Sequence, residues 1–326
     1  MAVTVRPGGG ARARKPARRA SGAGDRVLYV VCAFAALVAV VVIVEVIYQV
    51  ISGASPSINR FGLGFVFHTA WKPNLFIFGA GEMLEATLVT SFMALVLATP
   101  LGIAIGLFLA MLAPPRVRAV IGPLVEMLAA IPSVVLGLWG VIVLAPFVAQ
   151  DVEPFLHGAF GFIPLFGPPQ TTGLSVFTAG LVLTIMVVPI IASLSRDLFL
   201  SVPRDLQDGA AALGATRWEI IRGVVLPTTS SGVIAAALLG LGRALGEAVA
   251  VALVIGGGST IHRSIFGPGT TGAARIIEEI ESLDNNLHLA SLFYLALILL
   301  VLGVLTNLLA QAIARRVGGE QAMLVR

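Results

Sequence analysis

Arg243 and Glu247 have the types and spacing for chemistry in an unexpected place. They lie in Leu239-Gly240-Leu241-Gly242-Arg243-Ala244-Leu245-Gly246-Glu247-Ala248-Val249-Ala250, inside an apolar run over about 232–256. Residues four apart share one face of a helix. A charge at the centre of a bilayer costs about 3 kcal/mol or more. Arg243 is more than ten residues from either end of its run, too far to reach water by extending along the helix. The pair must therefore face a bundle interior or a wet path. A guanidinium is a planar fork that donates bidentate hydrogen bonds to tetrahedral oxyanions. Glu247 would offset part of that charge, so that an anion binds weakly enough to leave. A carboxylate can also accept a hydrogen bond from a protonated oxyanion. Phosphate keeps a proton near neutral pH and sulfate does not, which favours phosphate. The competing reading is an ion pair that only pins one helix to another.

Other positions in the apolar runs could act with this pair. Gly242 and Gly246 make a small-xxx-small pattern, which predicts close approach of a neighbouring backbone. Pro132 and Ser133, in Ala129-Ala130-Ile131-Pro132-Ser133-Val134-Val135, interrupt the helix ladder of the third run, and Pro189 interrupts that of the fourth. Ser133 and a freed carbonyl then either form a packing kink or face the path. Gly256-Gly257-Gly258-Ser259 follows no predicted strand, so it is not read as a phosphate cradle.

The elements that hold these residues follow from hydropathy. The chain has 326 residues, 57% of them hydrophobic and 12% charged, about half the charge of ordinary soluble domains. Apolar runs lie at about 27–51, 83–112, 120–148, 174–193, 232–256 and 289–313. A bilayer core of ~30 Å needs about 20 helical residues, so six membrane helices are expected. These runs do not alternate as barrel strands would.

Charge gives the orientation. With residues 1–26, 113–119, 194–231 and the C-terminal tail 315–326 on the cytoplasmic side, sixteen of the 21 Lys and Arg lie inside. Four lie in the outer loops: Arg60, Lys72, Arg263 and Arg275. That asymmetry follows the positive-inside rule and puts both termini in the cytoplasm. The same placement removes the nucleic-acid reading that a pI of about 9.8 invites. The expected organisation is a basic tail (1–26), a first transmembrane helix (27–51), an outer loop (52–82), a five-helix core (83–314) and a cytoplasmic tail (315–326).

The cytoplasmic loop 194–231 carries a second pattern. Residues 204–213 predict a short Ala-rich helix ended by Gly214. Thr216 and Glu219 form a capping box for a second short helix, which Pro227 is expected to stop. Spacing alone allows a plain amphipathic linker.

Several activities are excluded. The single cysteine, Cys32, rules out a disulfide framework, and four scattered histidines do not suggest a metal site. No cluster of His, Asp, Ser or Cys at a membrane face supports an embedded enzyme. The only lysines are Lys15 and Lys72, and neither follows a glycine. A P-loop, whose lysine follows a glycine, is therefore absent. Any P-loop ATPase that drives transport must be another polypeptide.

The loop resembles the EAA loop of ABC importer permeases. Asp208, Gly209 and Ala210, then Gly214, then Val224, Leu226 and Pro227 occupy its positions at matching spacing, with Asp for Glu, Gly for Ala and Val for Ile. The stretches Ala129–Gly140 and Leu239–Val251 are similar to the phosphate-specific branch, most closely its PstC-type subunit. The resemblance covers about residue 60 to the C-terminus. It implies an all-α integral membrane protein of the type I ABC importer permease fold, in a bacterial plasma (inner) membrane. It implies a heterodimer with a homologous second permease subunit, two ATPase subunits bound below with the 208–227 loop docked in a groove of the ATPase, and an extracytoplasmic phosphate-binding protein. Inorganic phosphate would pass Arg243, Glu247 and Ser133. ATP and magnesium would be bound by the partner ATPase, with no cofactor in this chain. A permease for sulfate, molybdate or phosphonate is the nearest alternative, and a membrane-embedded enzyme a more distant one.

Overall fold

The computed structural model describes residues 23–258 and 264–324. The basic stretch 1–22, Ser259 and Arg263 lie outside the described residues. Six helices are long and apolar enough to cross a membrane, and the described residues contain no strand, only two isolated bridges. The chain divides into two compact units, up to Gln49 and from Val50 onward.

Helix α1 (Ala23–Phe61) passes from one unit into the other. Its second part therefore occupies residues expected to be outer loop. In the larger unit follow α2 (Gly81–Leu112), α3 (Pro115–Ala129), α4 (Ser133–Phe160) and α5 (Val176–Leu200). Then come α6 (Arg204–Ala212), α7 (Arg217–Leu245), α8 (Val249–Val254), α9 (Gly272–Glu279) and α10 (Asn286–Leu324). Helix α10 runs on through the segment expected as a tail.

The most buried span is α5. Its N-terminus is capped by Ser175, whose hydroxyl accepts from the Thr178 amide at 3.2 Å. Helix α2 meets it through small residues: a Cβ at Gly102 would lie 2.7 Å from Ile191, and one at Gly106 3.0 Å from the carbonyl of Ala192. Around this contact lies the main core, with Ala94, Ala98, Leu183, Val187, Ile191 and Val254 buried. Pro189 sits inside α5 without ending it. It removes one ladder bond, and the packed neighbours keep the helix whole.

A second core is aromatic. Phe65, Trp71, Phe78 and Tyr294 are buried together beside Ala54 and Leu295. Phe65 stacks on Tyr294 with centroids 4.5 Å apart, and the Tyr294 hydroxyl donates to the carbonyl of Gly62 at 2.9 Å. The expected outer loop 52–82 is thus largely folded.

The third and fifth apolar runs are not single spans. Residues 120–148 split at Ala130-Ile131-Pro132 into α3 and α4, and the span is the later part, ending at Phe160 rather than 148. Glu126 accordingly lies on α3, before the span. Proline disfavours helical backbone at the residue before it, and Pro132 stands as the N-cap just before α4. The fifth span starts at Arg217 rather than 232 and ends at Leu245. Pro227 does not stop it. A π-helical turn over Ile221–Val225 leads directly into the helix carrying Pro227. The wider turn absorbs the proline ring and its missing donor where a regular turn would clash.

Candidate functional site

The break after α7 builds the charged site. Arg243 is in the last turn of α7, Gly246 is its C-cap, and α8 restarts at Val249. Arg243 and Glu247 are therefore not on one uninterrupted helix face. They still meet: Arg243 Nη2 lies 3.4 Å from Glu247 Oε2. The other carboxylate oxygen, Oε1, accepts from the backbone amide of Ala250 at 3.3 Å. That contact stands in for a side-chain cap, which Ala248 at the N-cap of α8 cannot supply. One carboxylate thus orients the guanidinium and fastens the first turn of α8.

Burial separates the two partners. The Glu247 side chain is 5% exposed and that of Arg243 is 50% exposed. The guanidinium enters a groove of about 550 Å³ between α5, α7 and α10, whose walls include Ile190, Leu239, Gly242, Thr306, Asn307 and Gln311. Chemically this is a fixed cation with a buried counter-charge, able to receive an anion without a free positive charge being sealed in protein.

Within this chain, nothing packs closely on the small-xxx-small glycines. A Cβ at Gly242 would meet nothing within 4 Å, and one at Gly246 only the carbonyl of Gly242 at 3.6 Å. Close approach occurs elsewhere. A Cβ at Gly137 of α4 would lie 2.9 Å from the Cα of Ala250 in α8, so α8 is pressed onto the start of α4. Ser133 is the first residue of α4 and half-buried. It is not on the wall of the groove that holds Arg243, and no contact brings it to the ion pair. The polar residues Thr306, Asn307 and Gln311 are there instead. They lie in the last apolar run, and their only sequence signal is the i, i+4 spacing of Asn307 and Gln311.

The 208–227 segment folds as its local chemistry dictates. Helix α6 ends in a Schellman motif: Gly214 has φ +89°, its amide donates to Ala211 at 2.9 Å, and the Ala215 amide donates to Ala210 at 3.1 Å. The Thr216 hydroxyl accepts from the Glu219 amide at 3.3 Å, and the Thr216 amide donates to Glu219 Oε2 at 2.7 Å. Val225 and Val202 are buried against Ala110 of α2 and Phe199 of α5. Asp208, Gly209 and Gly214 are exposed, and so are Leu206, Leu213 and Trp218, Leu213 almost completely. Val224 and Leu226 pack partly into that core, while Pro227 is exposed. Large apolar side chains therefore project from a rigid turn whose other face is anchored.

A third polar centre was not read from the sequence. Glu279, at the end of α9, accepts from Trp71 Nε1 and pairs with His288 Nε2, both at 2.7 Å, and it accepts from Arg275 at 3.1 Å. Arg275 also donates to the carbonyl of Gly258 at 2.7 Å. Residues far apart in sequence converge here, which no local pattern announces.

Comparison with known proteins agrees with this architecture. The profile of the family described as "Binding-protein-dependent transport system inner membrane component" matches residues 102–319. A "Phosphate transport system permease protein PstC" of Pasteurella multocida is 38% identical over 289 residues, covering 87% of this chain and 89% of that relative. One of Mesorhizobium japonicum is 38% identical, covering 90% of each. A "PstC 2" of Mycobacterium tuberculosis is 36% identical, covering 92% and 93%. Among solved structures, a bacterial alginate ABC transporter in complex with an alginate-bound periplasmic protein superposes with TM-score 0.57 at 16% identity, covering 89% of this chain and 96% of that one. The MetNI methionine ABC transporter in an inward-facing conformation gives TM-score 0.51 at 21% identity, covering 76% and 99%. These likenesses concern the fold alone. With six apolar spans, a family profile over most of its length and relatives matched nearly end to end, the chain belongs to the binding-protein-dependent transport system inner membrane components, in their PstC-type branch, and is a multi-pass membrane transport subunit.

Proposed function

We propose that this chain forms one half of the path by which inorganic phosphate crosses the membrane, in an importer driven by a separate ATPase. The observation that carries the reading is the Arg243 guanidinium, half-exposed in a groove between spans and held by a buried carboxylate. The names of the relatives direct the choice of oxyanion to phosphate. Glu247 has one oxygen on Arg243 and the other on the Ala250 amide. Its role is to orient and partly neutralise the guanidinium, so that the anion is passed on rather than trapped. Ser133 is assigned to the same path only through its place beside the helix break at Pro132.

A homologous second permease supplies the other half. One ATPase subunit grips the turn that carries Asp208, Gly209, Ala210, Gly214, Val224, Leu226 and Pro227, a second grips the matching turn of the other permease, and the two bind the ATP and magnesium. A phosphate-binding protein delivers the ion from outside. Both termini lie in the cytoplasm, as the lysine and arginine asymmetry directs.

The test is uptake and ATPase activity of the reconstituted complex, loaded with its binding protein. Phosphate is expected to drive both and sulfate neither. Arg243→Gln is expected to abolish uptake while the complex still assembles. Full uptake by that variant would sink the reading, and equal stimulation by sulfate would replace phosphate with oxyanions at large.

A further inference from the structure

The groove that receives Arg243 has a second chemical half on α10. Gly303, Asn307 and Gln311 recur every four residues and so form one stripe along the helix. Asn307 and Gln311 are exposed. Gln311 Nε2 approaches Asn307 Oδ1 at 3.5 Å, at the outer limit of a hydrogen bond, so the pair scarcely satisfies itself. Thr306, beside them, spends its proton on the carbonyl of Leu302 at 2.7 Å, which leaves its oxygen as an acceptor. A primary amide facing hydrocarbon with unmade hydrogen bonds is costly. These groups call for water, an ion or a partner.

The glycines give the groove its shape. Gly242 on α7 and Gly303 on α10 both line it, and a Cβ on either would meet nothing within 4 Å. The same two glycines line a second groove of about 440 Å³, whose other walls are apolar and include Leu245, Ile276, Leu299 and Leu300. The two grooves thus share two glycines as a common wall. The groove on one side is apolar. The other holds a cation and neutral donors and acceptors.

We propose that Asn307 and Gln311 form a second, uncharged station for the oxyanion, reached from Arg243 along the α7–α10 groove, which Gly242 and Gly303 line without side chains. The proposal rests on the reading of Arg243 as the anion's contact. Amide N–H groups replace part of the ion's hydration without adding charge, and amide or hydroxyl oxygens accept the proton that phosphate carries. A weak neutral site after a charged one gives the stepwise release that conduction needs.

The experiment uses the whole complex with its binding protein, in a Cys32→Ala background, since Cys32 is the only cysteine. Asn307→Cys is treated with a negatively charged methanethiosulfonate, which reacts only with a thiol in water. Labelling slowed by phosphate is the expected result. Labelling that is absent in every nucleotide state would overturn the proposal, because it places the stripe against lipid or a partner chain. In parallel, Asn307→Leu with Gln311→Leu is assayed for uptake. Leucine is a strong helix former and suits a span, so assembly survives. Uptake is expected to fall about tenfold, the loss of two neutral hydrogen bonds, and Asn307→Gln is expected to restore much of it. Normal uptake by the leucine pair, with Arg243→Gln inactive, removes the second station and leaves the arginine site standing. Normal uptake by Arg243→Gln removes both.

Discussion

Among the described side chains, Arg243–Glu247 and Arg275–Glu279 pair at identical spacing in opposite surroundings. Arg243–Glu247 spans 3.4 Å, with the arginine side chain 50% exposed and the glutamate 5%. Arg275–Glu279 spans 3.1 Å, with both side chains mostly buried, at 12% and 16%. In the second pair every partner is internal: Arg275 also holds the Gly258 carbonyl, and Glu279 also holds Trp71 and His288. In the first pair the exposed guanidinium lines an open groove. Spacing therefore identifies a pair, and burial of the cation separates one closed within the protein from one open to a groove.

The comparison breaks most directly at the two arginines. Arg243→Gln is expected to lower phosphate uptake by a hundredfold or more at equal complex yield. That corresponds to a charge-assisted contact of about 3 kcal/mol lost from the path. Arg275→Gln is expected to leave uptake per assembled complex within about twofold while lowering the melting temperature. If the two variants exchange these phenotypes, the distinction between the open and the closed pair fails.

Glu279→Gln comes next. A carboxylate that serves three partners becomes an amide that mismatches at least one, at a cost of about 2 kcal/mol, read by thermal unfolding of the purified complex. Trp71→Phe keeps the ring in the aromatic core and removes one hydrogen bond, so about 1 kcal/mol is expected by the same measurement. Thr216→Ala removes a helix cap outside both pairs and costs about 1 kcal/mol locally, read as faster amide exchange over Arg217–Ile220.

The smallest effect sharpens the second pair. Burial pushes the Glu278 carboxyl above the usual range, with Arg275 opposing and Glu279 reinforcing the rise. A carboxyl whose folded pKa is raised binds its proton more readily in the folded state. Its relative contribution is therefore full at pH below the unfolded value and lost as pH rises through the folded one. Glu278→Gln is expected to match the parent near pH 4 and to exceed it in stability near pH 8, by about 0.5 kcal/mol. A variant less stable at pH 8 would mean that the Arg275 contact at 3.8 Å outweighs desolvation.

How much could be read in advance depended on the range of the causal forces. The Gly214 end and the Thr216–Glu219 cap were legible because each is fixed within six residues of chain. The six spans were legible from hydropathy. The break at Gly246–Ala248 was not, since the apolar run continues through it and only a side chain folding back to Ala250 marks the new helix. Pro227 misled because a local rule for proline ignores a π turn upstream. The spacing of Gly242 and Gly246 did not say that the space beside them is open within this chain, because the same pattern serves close packing and an opening. Asn307 and Gln311 were submerged in the hydropathy of their span, and the Glu279 cluster needs contacts across 208 residues of sequence.

Because the π turn at Ile221–Val225 lets the helix continue past Pro227, the capped turn and the arginine are opposite ends of a single rod. From Arg217 to Arg243 it is about 40 Å long at 1.5 Å per residue. A tilt imposed on the Thr216 end must then swing the guanidinium in proportion. The two ends of the span are thus joined by one stiff crank, with no relay of side chains between them.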